Sequence, residues 1–488
     1  MSSNKIQKAL LVIFIGLSLV LATVLTILFV RGEITEDGIV TNTGILRIQT
    51  DPENITYKVY VDNINKDIAD NKVKNLVEGE YIIKIMADGY NDWEKRIIIY
   101  NGVVTDIFVK LYSNSLSVNA VTKTNIDKTF MSQDGNYIYY TVTKSEFGND
   151  YGIWRVATNQ NTSFFSTTNL EPTKLSDNSE IIRSTFNGNN YRIIPNNENS
   201  KIILADYSNN KFHIFNAGEP NKVPILEVTK TLGFIPDSIC WLNGGSNILI
   251  ASKGLLFDLN ISTGISTLLL YRPSLNVIYS TNGSSTYVID NVEKKLYSFK
   301  NQRLEAVDLK ALSLPENIDI IKVAPQNDDI LIIGSGNNFY YLNLKKLYLK
   351  KVFEDLSLTS VQLKSVSNDG TSALFMVGEN ECYTFNAKEN IAFNNMEIGY
   401  SILKGINCKT GFIEYAPQST HLVYFSVLDS TIKTIEPDGA NISSIITDVG
   451  FKGFANFNSR GDYILILLED LTIPTLPKTN IYRVQLEK

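Results

Sequence analysis

Histidine and cysteine, which often hold metals or act as nucleophiles, are scarce in this chain of 488 residues. The two histidines, His213 and His421, lie beside no second histidine and no cysteine in the sequence. A zinc site needs such companions, and a Ser–His–acid triad would be expected with a Gly-x-Ser-x-Gly motif, which is absent. We therefore predict no catalytic, cofactor-binding or metal-binding residues.

Carboxylates are plentiful, but their spacing favours turns over chemistry. Asp328-Asp329 and Asp369-Gly370 are typical of turns and lack the alternating ligand spacing of a calcium loop. Arg460-Gly461-Asp462 occupies the same turn position as Asp134-Gly135, so a repeat explains it better than a role in adhesion. A glycosidase would use a pair of carboxylates, and this sequence has no sialidase-like repeat that would mark such a pair.

The composition indicates a folded protein that does not bind nucleic acid. The chain is 44% hydrophobic and carries a net charge of −6, with both signs interspersed and no basic stripe after residue 31. The three cysteines, Cys240, Cys382 and Cys408, occur singly and cannot form a disulfide framework. We predict buried free thiols rather than a bridge.

An uncharged apolar segment runs from Ala9 to Val30. As a helix it would extend about 33 Å, enough for a hydrocarbon core of about 30 Å. Its few polar side chains are mainly hydroxyls that can form hydrogen bonds to the helix carbonyls. The sequence after it shows no helical pattern, so no other helix is predicted to pack against it. A cleaved signal peptide is the alternative, but its apolar region would be shorter. We predict a tail over 1–8, a transmembrane helix over 9–30 and a stalk over 31–43.

The flanking charges set the orientation of this segment. Lys5 and Lys8 precede it with no acid before them, whereas the Arg31 that follows it is soon followed by Glu33 and Glu36. Positive charge stays on the cytoplasmic side of a membrane, so we predict a single-pass protein of the cell membrane with a cytoplasmic N-terminus and an extracytoplasmic body.

Short strands separated by turns fill residues 44–112 and predict a compact, β-sandwich-like domain. Asn101-Gly102 is typical of a tight hairpin turn. The pieces that carry a family resemblance are Asp51-Pro52-Glu53, Val59–Asp62, Glu78–Tyr81 and Asp88–Trp93.

These residues resemble the PEGA domain family, a small extracytoplasmic β-module. Asn54 and Ile55 stand where the family usually has Gly and Ala, although Asn tolerates the left-handed backbone that the turn needs. The resemblance implies a spacer or interaction module and no enzyme.

Residues 113–488 repeat a pair of apolar strands preceded by a turn rich in Gly, Asn and Asp, about every 45 residues. The clearest unit is Ser132–Tyr140 with Ile153–Val156, which resembles the TolB-like, WD40-like β-propeller repeat. We predict an all-β body in which a propeller of eight blades, with seven as the alternative, follows the PEGA-like domain. A strand near Leu116–Thr122 is predicted to close the ring.

The function predicted from these parts is a membrane-anchored, extracytoplasmic binding or scaffold protein. Its partner would be a protein or a cell-envelope polymer, with no cofactor. Two alternatives are a propeller hydrolase or lyase acting on surface glycan or peptide, and an accessory subunit of an envelope export or assembly machine. Tyr151 and Trp241, read as loop residues, could line a binding face, but core packing is their more ordinary role.

Overall fold

The computed structural model describes most of the chain after residue 42. The described residues are 14–24, 26, 43–132, 134–144, 150–159, 162–163, 166–167, 171–176, 180–217, 223–242, 245–272, 278–282, 284–300, 303–309, 312–353, 360–390, 395–409, 412–417, 419–447, 450–470 and 478–486. The chain divides into two compact units, one with Met1–Leu116 and the other with Ser117–Asn390 and Asn395–Leu486.

Residues 14–24 form helix α1, in which the hydroxyls of Ser18 and Thr23 donate to the carbonyls of Phe14 and Leu19, each at 2.8 Å. Within the part of the chain that the structure describes, no helix is both long and apolar enough to cross a membrane. The predicted tail over 1–8, the rest of the predicted span and residues 31–42 of the predicted stalk lie outside the described residues, residue 26 excepted.

The first unit is a β-sandwich. Its strands are β1 (Thr43–Asp51), β2 (Tyr57–Val61), β3 (Ile64–Lys66), β4 (Lys72–Val77), β5 (Gly79–Ala87), β6 (Trp93–Ile99) and β7 (Val104–Lys110). They form two sheets with the orders β4-β1-β7 and β3-β2-β5-β6. Alternate residues of both sheets meet in one core, where Leu46, Ile48, Ile83 and Ile85 are fully buried.

The prediction of a hairpin at Asn101-Gly102 is wrong. β7 pairs in parallel with β1, from Ile45 opposite Val104 to Asp51 opposite Lys110, and β6 belongs to the other sheet. Gly102 has a φ of 66°, and its N–H donates to the carbonyl of Thr43 at 2.9 Å. The turn is tight, as its residues indicate, but it carries the chain from one sheet of the sandwich to the other.

The second unit consists mainly of four-stranded antiparallel sheets, numbered here in chain order. The strands of sheets 1 to 4 are β9 (Lys128–Met131), β10 (Tyr137–Val142), β11 (Gly152–Ala157) and β14 (Thr173–Ser176); β15 (Tyr191–Pro195), β16 (Lys201–Asp206), β17 (Lys211–Asn216) and β18 (Leu226–Glu227); β19 (Ser238–Trp241), β20 (Asn247–Ser252), β21 (Leu255–Asn260) and β22 (Ser266–Tyr271); β23 (Ile278–Thr281), β24 (Thr286–Asp290), β25 (Lys295–Lys300) and β26 (Arg303–Ala306).

The strands of sheets 5 to 8 are β27 (Ile320–Ala324), β28 (Asn327–Ser335), β29 (Asn338–Asn343) and β30 (Tyr348–Lys351); β31 (Val361–Val366), β32 (Ser372–Val377), β33 (Glu381–Asn390) and β34 (Asn395–Leu403); β35 (Ile413–Tyr415), β36 (Leu422–Ser426), β37 (Thr431–Ile435) and β38 (Ser443–Ile446); β39 (Gly450–Phe457), β40 (Tyr463–Asp470), β41 (Lys478–Gln485) and β8 (Ser117–Ala120). A separate two-stranded hairpin pairs β12 (Thr162–Ser163) with β13 (Ser166–Thr167).

The sheets pack face to face in a closed ring. Buried apolar clusters join each of sheets 1 to 6 to the next one along the chain. Phe425 of sheet 7 stacks on Phe451 of sheet 8 with ring centroids 4.6 Å apart. Tyr140 of sheet 1 shares a cluster with Leu465 and Ile481 of sheet 8, which completes the circle. A closed ring of four-stranded sheets is the architecture of a β-propeller.

The predicted closing strand is confirmed. β8 pairs antiparallel with β41, from Ser117 opposite Gln485 to Ala120 opposite Tyr482. The start of the second unit therefore supplies one strand to its last sheet, which ties the two ends of the ring together and leaves no unclosed junction.

Among the described connections between sheets, two contain a short helix, although no helix was expected after the apolar segment. The helices are α2 (Glu180–Asn187), before sheet 2, and α3 (Val228–Leu232), before sheet 3. Ile182 and Phe186 of α2 are four residues apart and therefore lie on one helix face, where both are buried against the core between sheets 1 and 2.

The prediction of free thiols is wrong for two of the three cysteines. Cys382 of β33 and Cys408 of the connection after β34 form a disulfide, with Cα atoms 5.2 Å apart. Both are buried, and Cys240 is a free cysteine. The partners lie 26 residues apart, and the β33–β34 hairpin returns the chain to bring them together. No local sequence pattern signals that contact.

Gly370 allows the turn of sheet 6 to lie directly against sheet 5. Its φ is 76°, and a Cβ atom there would be 2.6 Å from Cγ2 of Ile330 and 2.9 Å from Cβ of Ala324. We expect Gly370→Ala to lower the free energy of unfolding by about 2 kcal/mol or more, measured by urea titration. Gly378→Ala is the control, because Gly378 also has a positive φ, 63°, but no atom within 4 Å of its Cβ position. Equal losses in the two variants would contradict the packing explanation.

Candidate functional site

The first strand of each sheet lies nearest the axis of the ring. These strands are β9, β15, β19, β23, β27, β31, β35 and β39, called the hub strands below. Hub strands of neighbouring sheets contact one another, as β9 does with β15 and β31 with β35. Sheets that radiate from an axis approach each other most closely at their inner edges, so side chains exposed on these strands line the hub.

The turns that follow the hub strands lie on one face of the ring and are joined by hydrogen bonds. The side-chain amide of Asn199 donates to Asp134 at 3.0 Å, and that of Asn282 donates to Asp328 at 2.7 Å. Asn368 donates to the carbonyl of Pro417 at 3.1 Å. Asp369-Gly370 lies in such a turn, as predicted, whereas Asp328-Asp329 lies within strand β28, so the turn prediction is wrong for that pair.

Arg460-Gly461-Asp462 lies in the equivalent turn of sheet 8. Gly461 is buried, and its N–H donates to the carbonyl of Asn458 at 3.0 Å, while the side-chain amide of Asn458 donates to Asp462. The repeat explains this tripeptide, as the sequence indicated.

The structure keeps the two histidines apart, since His213 lies in β17 of sheet 2 and His421 just before β36 of sheet 7, both buried. Within the described ranges, no group of three or more His, Cys, Asp or Glu side chains is arranged to hold a metal ion. Tyr151 packs on Phe186 with ring centroids 5.6 Å apart. Trp241 lies in β19 rather than in a loop, and its indole N–H donates to the carbonyl of Ile194 at 2.8 Å. The core role expected of both aromatics is confirmed.

The hub strands carry one carboxylate and five basic side chains. The carboxylate is Glu414, and the basic residues are Lys128, Arg192, Lys322, Lys364 and Lys452. Two of the five are held internally: Lys128 donates to the carbonyl of Asn189 at 2.5 Å and lies 4.2 Å from the ring centroid of Tyr191, and Lys452 pairs with Glu469. The other three are exposed.

Glu414 forms a small polar cluster with side chains from the two preceding sheets. Ser365 of β31 donates to Oε2 of Glu414 at 3.3 Å, and the charge of Lys322 in β27 attracts the carboxylate. Burial is the largest influence, so the pKa of Glu414 is raised even though the hydroxyl and the ammonium group act in the opposite direction. A carboxyl group that keeps its proton more readily can donate a hydrogen bond or a proton to a ligand at the hub.

The raised pKa of Glu414 predicts how the stability of the protein depends on pH. The pKa of Glu414 is raised in the folded state, so this carboxyl group does not lower the free energy of unfolding at pH values below its ordinary pKa of 4.5. The free energy of unfolding falls as the pH rises through the raised pKa, because the folded protein resists loss of the proton. Glu414→Gln removes that decrease, so we expect the variant to gain stability over the parent at pH 8 but not at pH 4. Urea titrations at both pH values measure this, with Glu305→Gln on the exposed rim strand β26 as the control. A difference that stays constant between pH 4 and pH 8 would contradict the raised pKa of Glu414.

The first unit can now be assigned to a family. Residues 43–115 match the PEGA domain family. The β-sandwich is a PEGA domain. The matched region begins at the first residue of β1 and ends five residues after β7. Asn54 of the PEGA domain has a φ of 62°, so the left-handed turn expected there is present without the usual glycine.

Solved structures similar to this chain include a WD40 domain and a β-propeller domain. The WD40 domain of SCAP from fission yeast is 11% identical, with 76% of this chain and 98% of that chain covered and a TM-score of 0.42. The Cps50 (Swd1) β-propeller domain of Myceliophteria thermophila is 9% identical, with 75% and 99% covered and a TM-score of 0.36. Because these scores are below 0.5, we base the propeller assignment on the closed ring of sheets alone. No curated protein sequence matches the chain.

Proposed function

We propose that the chain is a membrane-anchored binding protein whose body lies outside the cytoplasm. The PEGA domain acts as a spacer, and an eight-bladed propeller binds a protein or a cell-envelope polymer. The observation that carries the proposal is the closed ring, whose hub brings side chains from many sheets to one place but includes a single carboxylate among its strands. Such a surface suits recognition, because several loops and strands contribute to one concavity.

The disulfide supports the proposed location. Cys382 and Cys408 are bonded and buried in sheet 6 and the connection that follows it. Structural disulfides persist in oxidising compartments and are rare in the cytosol. The apolar segment over 9–30 and the lysines before it support the same orientation.

A hydrolase or lyase is the second candidate, favoured by the raised pKa of Glu414 beside Ser365. Acid catalysis by Glu414 would need a second carboxylate or another nucleophile at the hub, and the hub strands supply no second acid. An accessory role in an envelope export or assembly machine is a form of the binding proposal, since such a subunit acts through its contacts.

Fractionation of cells that express the full chain tests the proposal. We expect the full chain in the membrane pellet, resistant to alkaline carbonate, and a variant lacking residues 9–30 in the soluble fraction. Protease added outside the intact cytoplasmic membrane is expected to reach the body. A full chain that stays soluble, or a body reached only after that membrane is broken, would overturn the proposed location.

A further inference from the structure

Within the described part of the chain, three basic side chains on the hub strands make no close ion pair, although the charge of Lys322 attracts the Glu414 carboxylate. Arg192, Lys322 and Lys364 are exposed, and none makes an ion pair within 4.0 Å among the described residues. They come from β15, β27 and β31, in sheets 2, 5 and 6. The chain as a whole is acidic, with a net charge of −6, so a run of positive charge on these inner strands departs from its general composition.

The positions of two of them restrict where the side chains can meet solvent. Arg192 lies between Tyr191 and Ile193, each 3% exposed, and Lys322 lies between Ile321 and Val323, 6% and 1% exposed. The neighbouring residues pack against adjoining sheets. An exposed residue inside such a strand can therefore reach water at the inner edge of its sheet, which is the hub.

Lys364 reaches the hub by a different route. The pairing of β31 with β32 shifts between Leu363 and Ser365, so Lys364 is the extra residue of a β-bulge. Bulges commonly redirect a side chain out of the regular alternation of a strand. The bulge frees Lys364 from the packed faces of sheet 6 and leaves it exposed beside Ser365.

The three cations come from opposite sides of the axis. Going round the ring of described sheets in either direction, sheets 2 and 6 are separated by three others, so Arg192 and Lys364 come from opposite sides. Lys322 belongs to sheet 5, next to sheet 6. Like charges held around one concavity repel each other, and that repulsion is relieved when an anion lies between them.

We propose that the hub binds a ligand with two or more negative charges, held between Arg192 on one side and Lys322 and Lys364 on the other. The ligand chemistry is a polyvalent oxyanion, either phosphate-bearing or carboxylate-bearing. The Ser365 hydroxyl supplies an additional donor. Burial raises the pKa of the nearby Glu414 carboxyl, which limits the negative charge that it presents to an anion. This inference rests on the proposed function, because it names the chemistry that the propeller would recognise.

Isothermal titration of the full chain in detergent tests the inference, with tripolyphosphate and citrate as the two probes. We expect at least one probe to bind, with an affinity that falls as salt concentration rises. Arg192→Gln and the pair Lys322→Gln with Lys364→Gln are each expected to weaken binding about tenfold, the effect of losing a charged hydrogen bond. Arg192→Lys keeps the charge and is expected to retain most of the affinity.

Lys300→Gln is the matched control, because Lys300 is an exposed lysine at the end of β25, away from the hub strands. Binding of tripolyphosphate alone would identify a phosphate-bearing ligand, and binding of citrate alone a carboxylate-bearing one. Binding of neither probe, or equal weakening by Lys300→Gln and by the hub variants, would overturn the inference. Membrane fractionation of the same full chain is independent of these titrations, so a failure here is distinguishable from a failure of the proposed location.

Discussion

Disrupting β8 is expected to open the ring and to lower the stability of the propeller more than the same change in another outer strand. Prolines at Val118 and Asn119 remove successive backbone donors, at least one of which faces β41. Four residue pairs join β8 to β41. At about 1 kcal/mol for each hydrogen bond, we expect the local pairing alone to account for a loss of about 4 kcal/mol in the free energy of unfolding, measured by urea titration.

The total loss in the free energy of unfolding should exceed the part due to these hydrogen bonds, because β8 joins distant parts of the chain. The backbone N–H of Ile481 donates to the Thr122 hydroxyl at 2.8 Å, a contact across 359 residues. Opening the ring also exposes the edge of β41, so we expect the variant to self-associate in size-exclusion chromatography with light scattering.

Prolines at Leu304 and Glu305 provide the control for this prediction. These residues lie in β26, which like β8 is a four-residue fourth strand, but the sheet to which it belongs is continuous in the chain. The control should lose local pairing while the ring stays closed by β8. Equal losses of stability in both variants, with both remaining monomeric, would show that ring closure contributes nothing beyond the strand itself.

Loss of the disulfide is the second large effect. A bridge that closes a loop of 26 residues is expected to contribute about 3–4 kcal/mol through the entropy of the unfolded chain. The double variant Cys382→Ala with Cys408→Ala should lose that amount in urea titrations. Adding reductant should destabilise the parent protein similarly and leave the double variant unchanged.

Cys240→Ala is the control for the disulfide, because Cys240 is the free cysteine. The Cys240→Ala variant should keep its full response to reductant. A parent protein whose unfolding curve is unaffected by reductant would contradict a stabilising bridge between Cys382 and Cys408.

Periodic features of the propeller could be predicted from the sequence. The turn before each apolar strand pair recurs along the chain, and the last clear strand lies at the very C-terminus, so a strand from the start of the repeat region can pair into the last sheet. The strand-like segment Leu116–Thr122 therefore predicts β8. The acidic turn at Asp369-Gly370 is predicted correctly for the same reason, because its position in the repeat is fixed, whereas Asp328-Asp329 lies in β28.

Features that depend on contacts between distant segments could not be predicted in this way. Cys382 and Cys408 give no local sign that a hairpin returns one to the other. Asn101-Gly102 forms a tight turn, but whether the flanking strands pair depends on the second sheet of the PEGA domain. The turn residues alone therefore predict the local backbone and not the partner of β7.

The hub residues were missed because their sequence context is ordinary. Lys322 is a lysine in an apolar strand, as expected of any strand with one exposed position. Only the closed ring shows that the exposed position faces an axis shared with other sheets. One pattern in the sequence could reveal such residues, namely a charged residue in the interior of the first strand of a repeat unit. Both faces of that strand are buried, so the charged side chain would reach solvent at the hub.

Labelling of thiols in cells tests the proposed extracytoplasmic location most directly. Cells that express the full chain are quenched with acid, denatured and treated with a maleimide whose added mass counts free thiols. We expect one labelled thiol, Cys240, and three after reduction, because Cys382 and Cys408 are bonded in an oxidising compartment. Three labelled thiols without prior reduction would contradict both the disulfide in the cell and the location of the body outside the cytoplasm.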